Sequence, residues 1–266
     1  MAHAQVALVA AGFRRYSTYR QATVAGAFTN TVFGFLRCYI LLSVAATAGG
    51  SVAGYDGPQL VSYVWIGQGV LAVVNAWVML DLAERVRTGD VVADLLRPID
   101  PLWTYLCTDL GRSGFAMLTR FVGPVLVGAL AFGLYVPANP LTYLLAPLSI
   151  LFAVVVGFAC RYLIGLSAFW TLDIRGTSML WVFLSGFAGG LYFPLAILPE
   201  WLKTTLWVAT PFPALMQAPL DVLVERGGVP NMLLVCASQA TWCAVTLFAC
   251  KRVQARAMRK LVLQGG

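Results

Sequence analysis

An all-α membrane protein crossing the bilayer six times is the fold the sequence predicts, and three observations carry it. Hydrophobic residues make up 60% of the 266 and charged residues 11%, with a mean hydropathy of +0.80, whereas soluble domains hold about 25% charged residues. Six apolar runs reach or approach the ~20 residues that cross a bilayer. None has the two-residue alternation of barrel strands, and in lipid only helices and closed barrels satisfy the backbone. These runs and their connections use the whole length, so the chain reads as a single membrane domain over 1–266.

The amino-terminal stretch places Val6, Leu8, Val9 and Phe13 beside Arg14, Arg15 and Arg20. This composition suits a helix lying in the membrane interface. Its apolar run is too short for a signal peptide and its arginines follow the run, so the segment is expected to be retained. His3, the only histidine, reads as a tail residue. Six spans follow, at 22–48, 58–80, 115–136, 141–170, 177–197 and 231–250.

Between the second and third spans, residues 81–114 hold Asp81, Glu84, Arg85, Arg87, Asp90, Asp94, Arg97, Asp100, Asp109 and Arg112. Charge at that density is excluded from hydrocarbon, which predicts a loop or short helices in water. The connections 49–57 and 137–140 contain no lysine or arginine, whereas the amino terminus holds three arginines, the 81–114 loop four, the fourth link Arg175 and the tail KRVQARAMRK five basic residues. Positive residues stay inside, so both termini and this loop are assigned to the cytoplasm. The fifth connection then lies outside. Pro194, Pro199, Pro211, Pro213 and Pro219 break it, while Trp201, Leu202, Leu206 and Trp207 share one helical face. Short re-entrant helices dipping into the outer leaflet are expected there.

Few polar residues interrupt the spans. Arg37 falls near the middle of the first, where a charge costs at least about 2.5 kcal/mol and needs a cavity or a partner. A span shifted to 31–51 would instead let Arg37 snorkel to the inner interface. Gln68 and Asn75, seven residues apart, can bond another helix or line a path. Arg120 and Arg161 sit nearer span ends, where snorkelling is the default. Ser185, Gly186, Ala188, Gly189 and Gly190 give the fifth span a small-residue face for close helix approach. The six cysteines form no CxxC pair, and Cys236, Cys243 and Cys250 recur at heptad spacing, reading as small apolar filler or a packing seam.

Several function classes are excluded by what is missing. No GxxxxGK[ST], HExxH or GxSxG occurs, so no catalytic residue or metal ligand is assigned. The net charge of +7 lies in short loops and termini and not along one face, which argues against a nucleic-acid partner.

The amino-terminal interfacial helix, the loop ERVRTGDVVADLLRPIDPLW over 84–103, the glycine-rich fifth span running into YFPLAILPEWL, and TPFPALMQAPLDVL over 210–223 together resemble the six-span permease subunits of ABC-2 type exporters, especially the bacterial group with paired permeases. The resemblance covers nearly the whole chain, with G-x-x-x-x-x-L-L-R-P over 89–98 as its most specific core. It implies that Glu84, Arg85, Arg87, Gly89, Asp94, Leu95, Leu96, Arg97 and Pro98 form a coupling helix seated in a separate ATPase subunit, present in two copies. ATP and magnesium would bind that subunit, with no cofactor in this chain. A second permease, a paralogue sooner than a second copy, would complete the pathway, for which Arg37, Gln68 and Asn75 are the candidates. The cargo implied is lipophilic: a drug, an antibiotic or a lipid. The alternative is a secondary transporter or channel, which would need membrane ionisable groups that are scarce here beyond Arg37. A membrane-embedded enzyme would need convergent acids, bases or metal ligands.

Overall fold

In the computed structural model, which describes residues 2–18, 20–75, 77, 79–96, 98–171 and 173–261, the chain is helical and no strand occurs among the described residues. Helix α1 (Ala2–Ser17) precedes α2 (Arg20–Thr47) and α3 (Gly57–Val74). Two short helices, α4 (Leu82–Thr88) and α5 (Val91–Leu95), lead into α6 (Pro101–Ala116), which passes through a π-helical turn (Met117–Phe121) into α7 (Val122–Phe132). Next come α8 (Pro140–Thr171), α9 (Arg175–Phe187), α10 (Glu200–Ala209), α11 (Gln217–Leu223) and α12 (Gly228–Leu261). Among the described residues five helices, counting α6–α7 as one, are long and apolar enough to cross a membrane.

Local chemistry sets where these helices start and stop. At α3, Asp56 accepts from the Gln59 amide at 2.8 Å while the Gln59 side chain accepts from the Asp56 amide at 3.1 Å, with Pro58 in the first turn. This reciprocal cap and proline satisfy donors that the first turn leaves free. The helix ends on Asn75 in the left-handed conformation (φ 52°, ψ 47°), a role asparagine tolerates better than most residues. At α6, Asp100 accepts from the Leu102 amide and Pro101 opens the first turn.

Helices α8 and α12 run parallel in one register: Ser149 bonds Gln239, the Cys243 thiol donates to the Phe152 carbonyl, the Cys250 thiol to the Ala159 carbonyl, and Tyr162 bonds Gln254. The cysteine heptad is therefore part of this seam, where small side chains let two backbones approach. All six cysteines are buried and free. Helix α1 lies across α6 at close range. A Cβ on Gly12 would stand 2.2 Å from the Thr108 carbonyl oxygen, and one on Gly111 would stand 2.1 Å from that of Val9. Phe13 meets Phe115 edge-on beside this crossing.

Three predicted spans are redrawn. The third helix starts at Pro101 and not at 115, so Asp109 and Arg112 lie inside a membrane-length helix. The last helix extends from Gly228 to Leu261, and its basic end snorkels through Lys251 over Trp103 and Lys260 over Trp170. The fifth predicted span, 177–197, is not one helix: α9 stops at Phe187 and the chain turns through Gly190 at φ +84°. Thirteen residues rise about 20 Å, short of the ~30 Å hydrocarbon thickness. The Leu191 amide and the Gly186 carbonyl close the turn. Arg161 is 1% exposed and points inward, so it does not snorkel.

The proline-rich connection forms short helices. Pro199 precedes α10, while Pro194 and Pro211 each precede a 3₁₀ turn, Leu195–Ile197 and Phe212–Ala214, the latter containing Pro213. On α10, Leu202, Leu206 and Trp207 are half-buried but Trp201 is exposed, so the expected four-residue apolar face is used at three positions. Beyond α11, Glu225 adopts φ +53° and clasps the start of α8: its carboxylate accepts from Thr142 Oγ1, the Tyr135 hydroxyl and the amides of Ala138 and Asn139. Partial burial pushes the Glu225 carboxyl up, yet these four donors outweigh it and hold the group below its ordinary 4.5. A depressed carboxylate stabilises the fold above its unfolded pKa and loses that contribution as pH falls through the folded value. The melting temperature of the purified protein is therefore expected to drop on acidification below about pH 4.5, and Glu225→Gln should flatten that part of the profile. An unchanged profile in the variant would remove the assignment.

Candidate functional site

The charged elbow is built from α4, Gly89 at φ +83° and α5. Arg85 reaches across it, Nε to Asp94 at 2.6 Å and Nη2 to Asp94 at 3.0 Å, and also donates to the Asp90 carbonyl. These contacts raise the Arg85 pKa from its ordinary value, the hydrogen bond to Asp94 first among the causes. Arg87 pairs with Glu84 at 2.7 Å on the exposed flank. The charges of the elbow are thus largely matched within it. Exposed among these charges are two apolar side chains, Val92 and Leu96, four residues apart on one face, with Leu96 82% exposed and Pro98 exposed beside it. Arg97 lies outside the described residues, as does the side chain of Leu95.

Behind the elbow is a cavity of about 200 Å³, lined among others by Arg15, Asn75, Asp81, Arg85, Asp94, Tyr105, Asp109, Arg112 and Arg161. Its floor is a buried ion cluster. Asp109 accepts from Arg112 Nε at 2.7 Å and from Arg161 Nη2 at 2.8 Å, and all three are at most 4% exposed. The spare guanidinium donors turn to the end of α3: Arg112 to the Val73 carbonyl at 3.0 Å and Arg161 to that of Val74 at 3.4 Å. Carbonyls at a helix C-terminus carry partial negative charge and lack intrahelical donors, so two cations satisfy them. The cluster therefore pins α3, α6 and α8 together at the level of the elbow.

A polar seam runs between α2 and α3. Arg120, on the π-helical turn, presses against Gly26, where a Cβ would stand 2.4 Å from Nη2. One turn further along α2, Asn30 donates to the Gln68 carbonyl at 3.2 Å. Further still, Arg37 lies near the Tyr63 and Tyr192 hydroxyls. Arg37 Nε and Nη2 and Arg120 Nε are buried without a hydrogen-bond partner among the described residues. Arg37 thus sits well inside its helix, ten residues before the end of α2.

At the far end of that seam α11 is latched in place. Gln217 accepts from the Tyr63 hydroxyl at 2.9 Å and the Leu195 amide at 2.8 Å, and donates to Asp221 and the Tyr55 hydroxyl, each at 2.8 Å. Tyr55 also donates to Asp221, and Tyr63 to the Gly190 carbonyl. Arg226 stacks over Tyr55 and lies 3.9 Å from Asp221.

The structure places Glu84, Arg85, Arg87, Gly89, Asp94, Leu96 and Pro98 on one elbow. It separates the three residues expected along one path: Arg37 and Gln68 belong to the α2–α3 seam, while Asn75 caps α3 and lines the cavity. Asp109 and Arg112 were read only as loop charges and Arg161 as a snorkelling residue, and Gln217 and Asp221 were not singled out. The spacing Asp109-x-x-Arg112 and Gln217-x-x-x-Asp221 on helices was their available signal.

A family model described as ABC-2 family transporter protein matches residues 33–265. The chain belongs to the ABC-2 transporter family. The match runs from the middle of α2 through α12, so it takes in the elbow, the ion cluster and the latch, and of the seam Arg37, Gln68 and Arg120 but not Gly26 or Asn30. No curated protein matches the chain. Membership makes it a transporter membrane protein of a kind that is typically non-enzymatic.

Proposed function

We propose that this chain is the permease subunit of an ATP-driven exporter, with nucleotide chemistry on a separate ATPase and the elbow as its docking element. The observation that carries this reading is the elbow's surface: Arg85 and Arg87 are matched internally while Val92 and Leu96 stand exposed among charges. Apolar anchors ringed by polar groups are how a partner's pocket is filled. The basic loop, α1 and the basic end of α12 meet, Arg15 with Asp81 and Gln254 with Asp100, which supports a cytoplasmic placing of this end and of both termini. ATP and magnesium belong to the ATPase. A second permease, paralogue or copy, is part of the reading. Helix α9 turns Met179, Leu180 and Phe183 outward, and α2 does so with Phe33, Leu36 and Ile40. A lipophilic cargo such as a drug, antibiotic or lipid fits these surfaces.

Purification from the host membrane tests it. The wild-type chain should co-elute with an ATPase, and Val92→Asp with Leu96→Asp should weaken recovery roughly 30-fold, the loss of about 2 kcal/mol at an anchor pair. Unchanged recovery would remove the elbow as the contact. Activity of the lone chain in liposomes without ATP would favour a secondary transporter or channel.

A further inference from the structure

We infer that the α2–α3 seam binds an amphiphile carrying an anionic group, held by Arg37 and Arg120; this rests on the permease reading and names its substrate class. Among the described residues between the ends of the membrane-length helices, and short of the basic end of α12, the ionised groups are Arg37, Arg112, Arg120, Arg161 and Asp109. The one carboxylate is committed to Arg112 and Arg161. Arg37 and Arg120 therefore have no acid to answer them, and each keeps a buried N–H without a partner. Asp221, which shares the neighbourhood of Tyr63, is already taken by Tyr55, Gln217 and Arg226.

The two cations are arranged as stations on one path. Arg120 rests on Gly26, and Arg37 is eleven residues further along the same helix. Eleven residues turn α2 almost a whole number of times and rise about 16 Å, so both guanidiniums border one strip of α2 at two depths. Glycine at 26 leaves the space that the Arg120 guanidinium occupies. Between the stations lie Asn30 and the Gln68 carbonyl. Exposed Phe33, Leu36 and Ile40 flank the strip. A guanidinium in a low-dielectric site is most strongly compensated by a phosphate, sulfonate or carboxylate through charge-assisted bonds. The aromatic and aliphatic flank suits an alkyl body.

The test uses the intact complex in phosphatidylcholine nanodiscs and two photoactivatable probes of equal chain length, dodecyl phosphate and dodecyl trimethylammonium, with labelled peptides mapped by mass spectrometry and ATP turnover measured in parallel. Phosphate-probe labelling of α2 and α3 should exceed ammonium-probe labelling by about tenfold or more, the worth of one charge-assisted bond. Arg37→Gln should reduce it to the ammonium level, and Arg37→Lys should restore part. Should Arg37→Gln fail to fold, the two probes on the wild type decide alone. Loss of labelling on adding phosphatidylglycerol identifies a resident membrane lipid as the anion; labelling that persists there and falls during ATP turnover identifies a transported substrate; both uphold the site. Equal labelling by the two probes, as expected if a partner permease supplied the counter-charge, overturns it, and so does absence of labelling at the seam. ATP turnover dependent on this chain, alongside either negative result, leaves the permease reading standing while the inference falls.

Discussion

Replacing Asp109 with asparagine is expected to lower the melting temperature of the purified protein by roughly 6–20 °C, the equivalent of about 3–5 kcal/mol in a chain of this size. The substitution keeps the shape and removes the charge, leaving Arg112 and Arg161 as like charges in a site where each is at most 4% exposed. The carbonyls of Val73 and Val74 still accept from them, but dipoles do not replace a full counter-charge. Adding Arg161→Met to Asp109→Asn should recover a substantial part of the loss, because only Arg112 is then left as a buried cation without a counter-charge and the repulsion between the two guanidiniums is gone. A change within about 2 °C for Asp109→Asn, or no recovery in the double variant, would show that the cluster does not hold α3, α6 and α8 together. Since the cavity behind the elbow has this cluster as its floor, ATPase recovery should fall together with stability and not ahead of it.

That cluster also marks where sequence reasoning stopped. The apolar runs and the charged elbow were legible because composition is local. The start of α6 has a local signal too, the Asp100–Pro101 cap, which the reading of the spans did not use. That span was placed by the rule that dense charge stays in water, which holds for unpaired charge only. Asp109 and Arg112 enter the helical bundle because Arg161, 52 residues away, completes their set. Snorkelling failed for Arg161 for the same reason.

The fifth span failed for another reason. Hydropathy averages over 177–197 and does not register one glycine at φ +84°, yet that backbone turn ends the helix. What makes the turn affordable is remote in sequence. The Gly189 carbonyl accepts from the Gln217 amide at 2.8 Å, and the Gly190 carbonyl accepts from Tyr63. A short α9 and a latched α11 are therefore one structure, assembled from segments more than 100 residues apart.

Gln217→Leu is accordingly expected to open that structure. Leucine matches the volume of glutamine but offers none of its four side-chain bonds, leaving the Tyr63 hydroxyl with one acceptor fewer and the Leu195 amide and Asp221 short of a partner in a buried site. Each buried group left unsatisfied costs about 1–3 kcal/mol, so the set outweighs any other single change at this end of the molecule. Asp221 and Tyr55 remain bonded to each other, which confines the damage to the links from α11 to the 190–195 segment. Hydrogen exchange at the amides of Leu195 and Gln217 should accelerate by about tenfold or more, with the α8–α12 seam unchanged. If α11 closes the seam that contains Arg37, basal ATP turnover in the assembled complex should rise while its response to substrate shrinks, because a closed state has been destabilised relative to an open one. Gln217→Glu separates geometry from charge: it keeps both acceptors but places a second carboxylate beside Asp221, and should loosen the same amides by repulsion. Protection at Leu195 and Gln217 equal to wild type in both variants would mean that the glycine turn is held by packing alone.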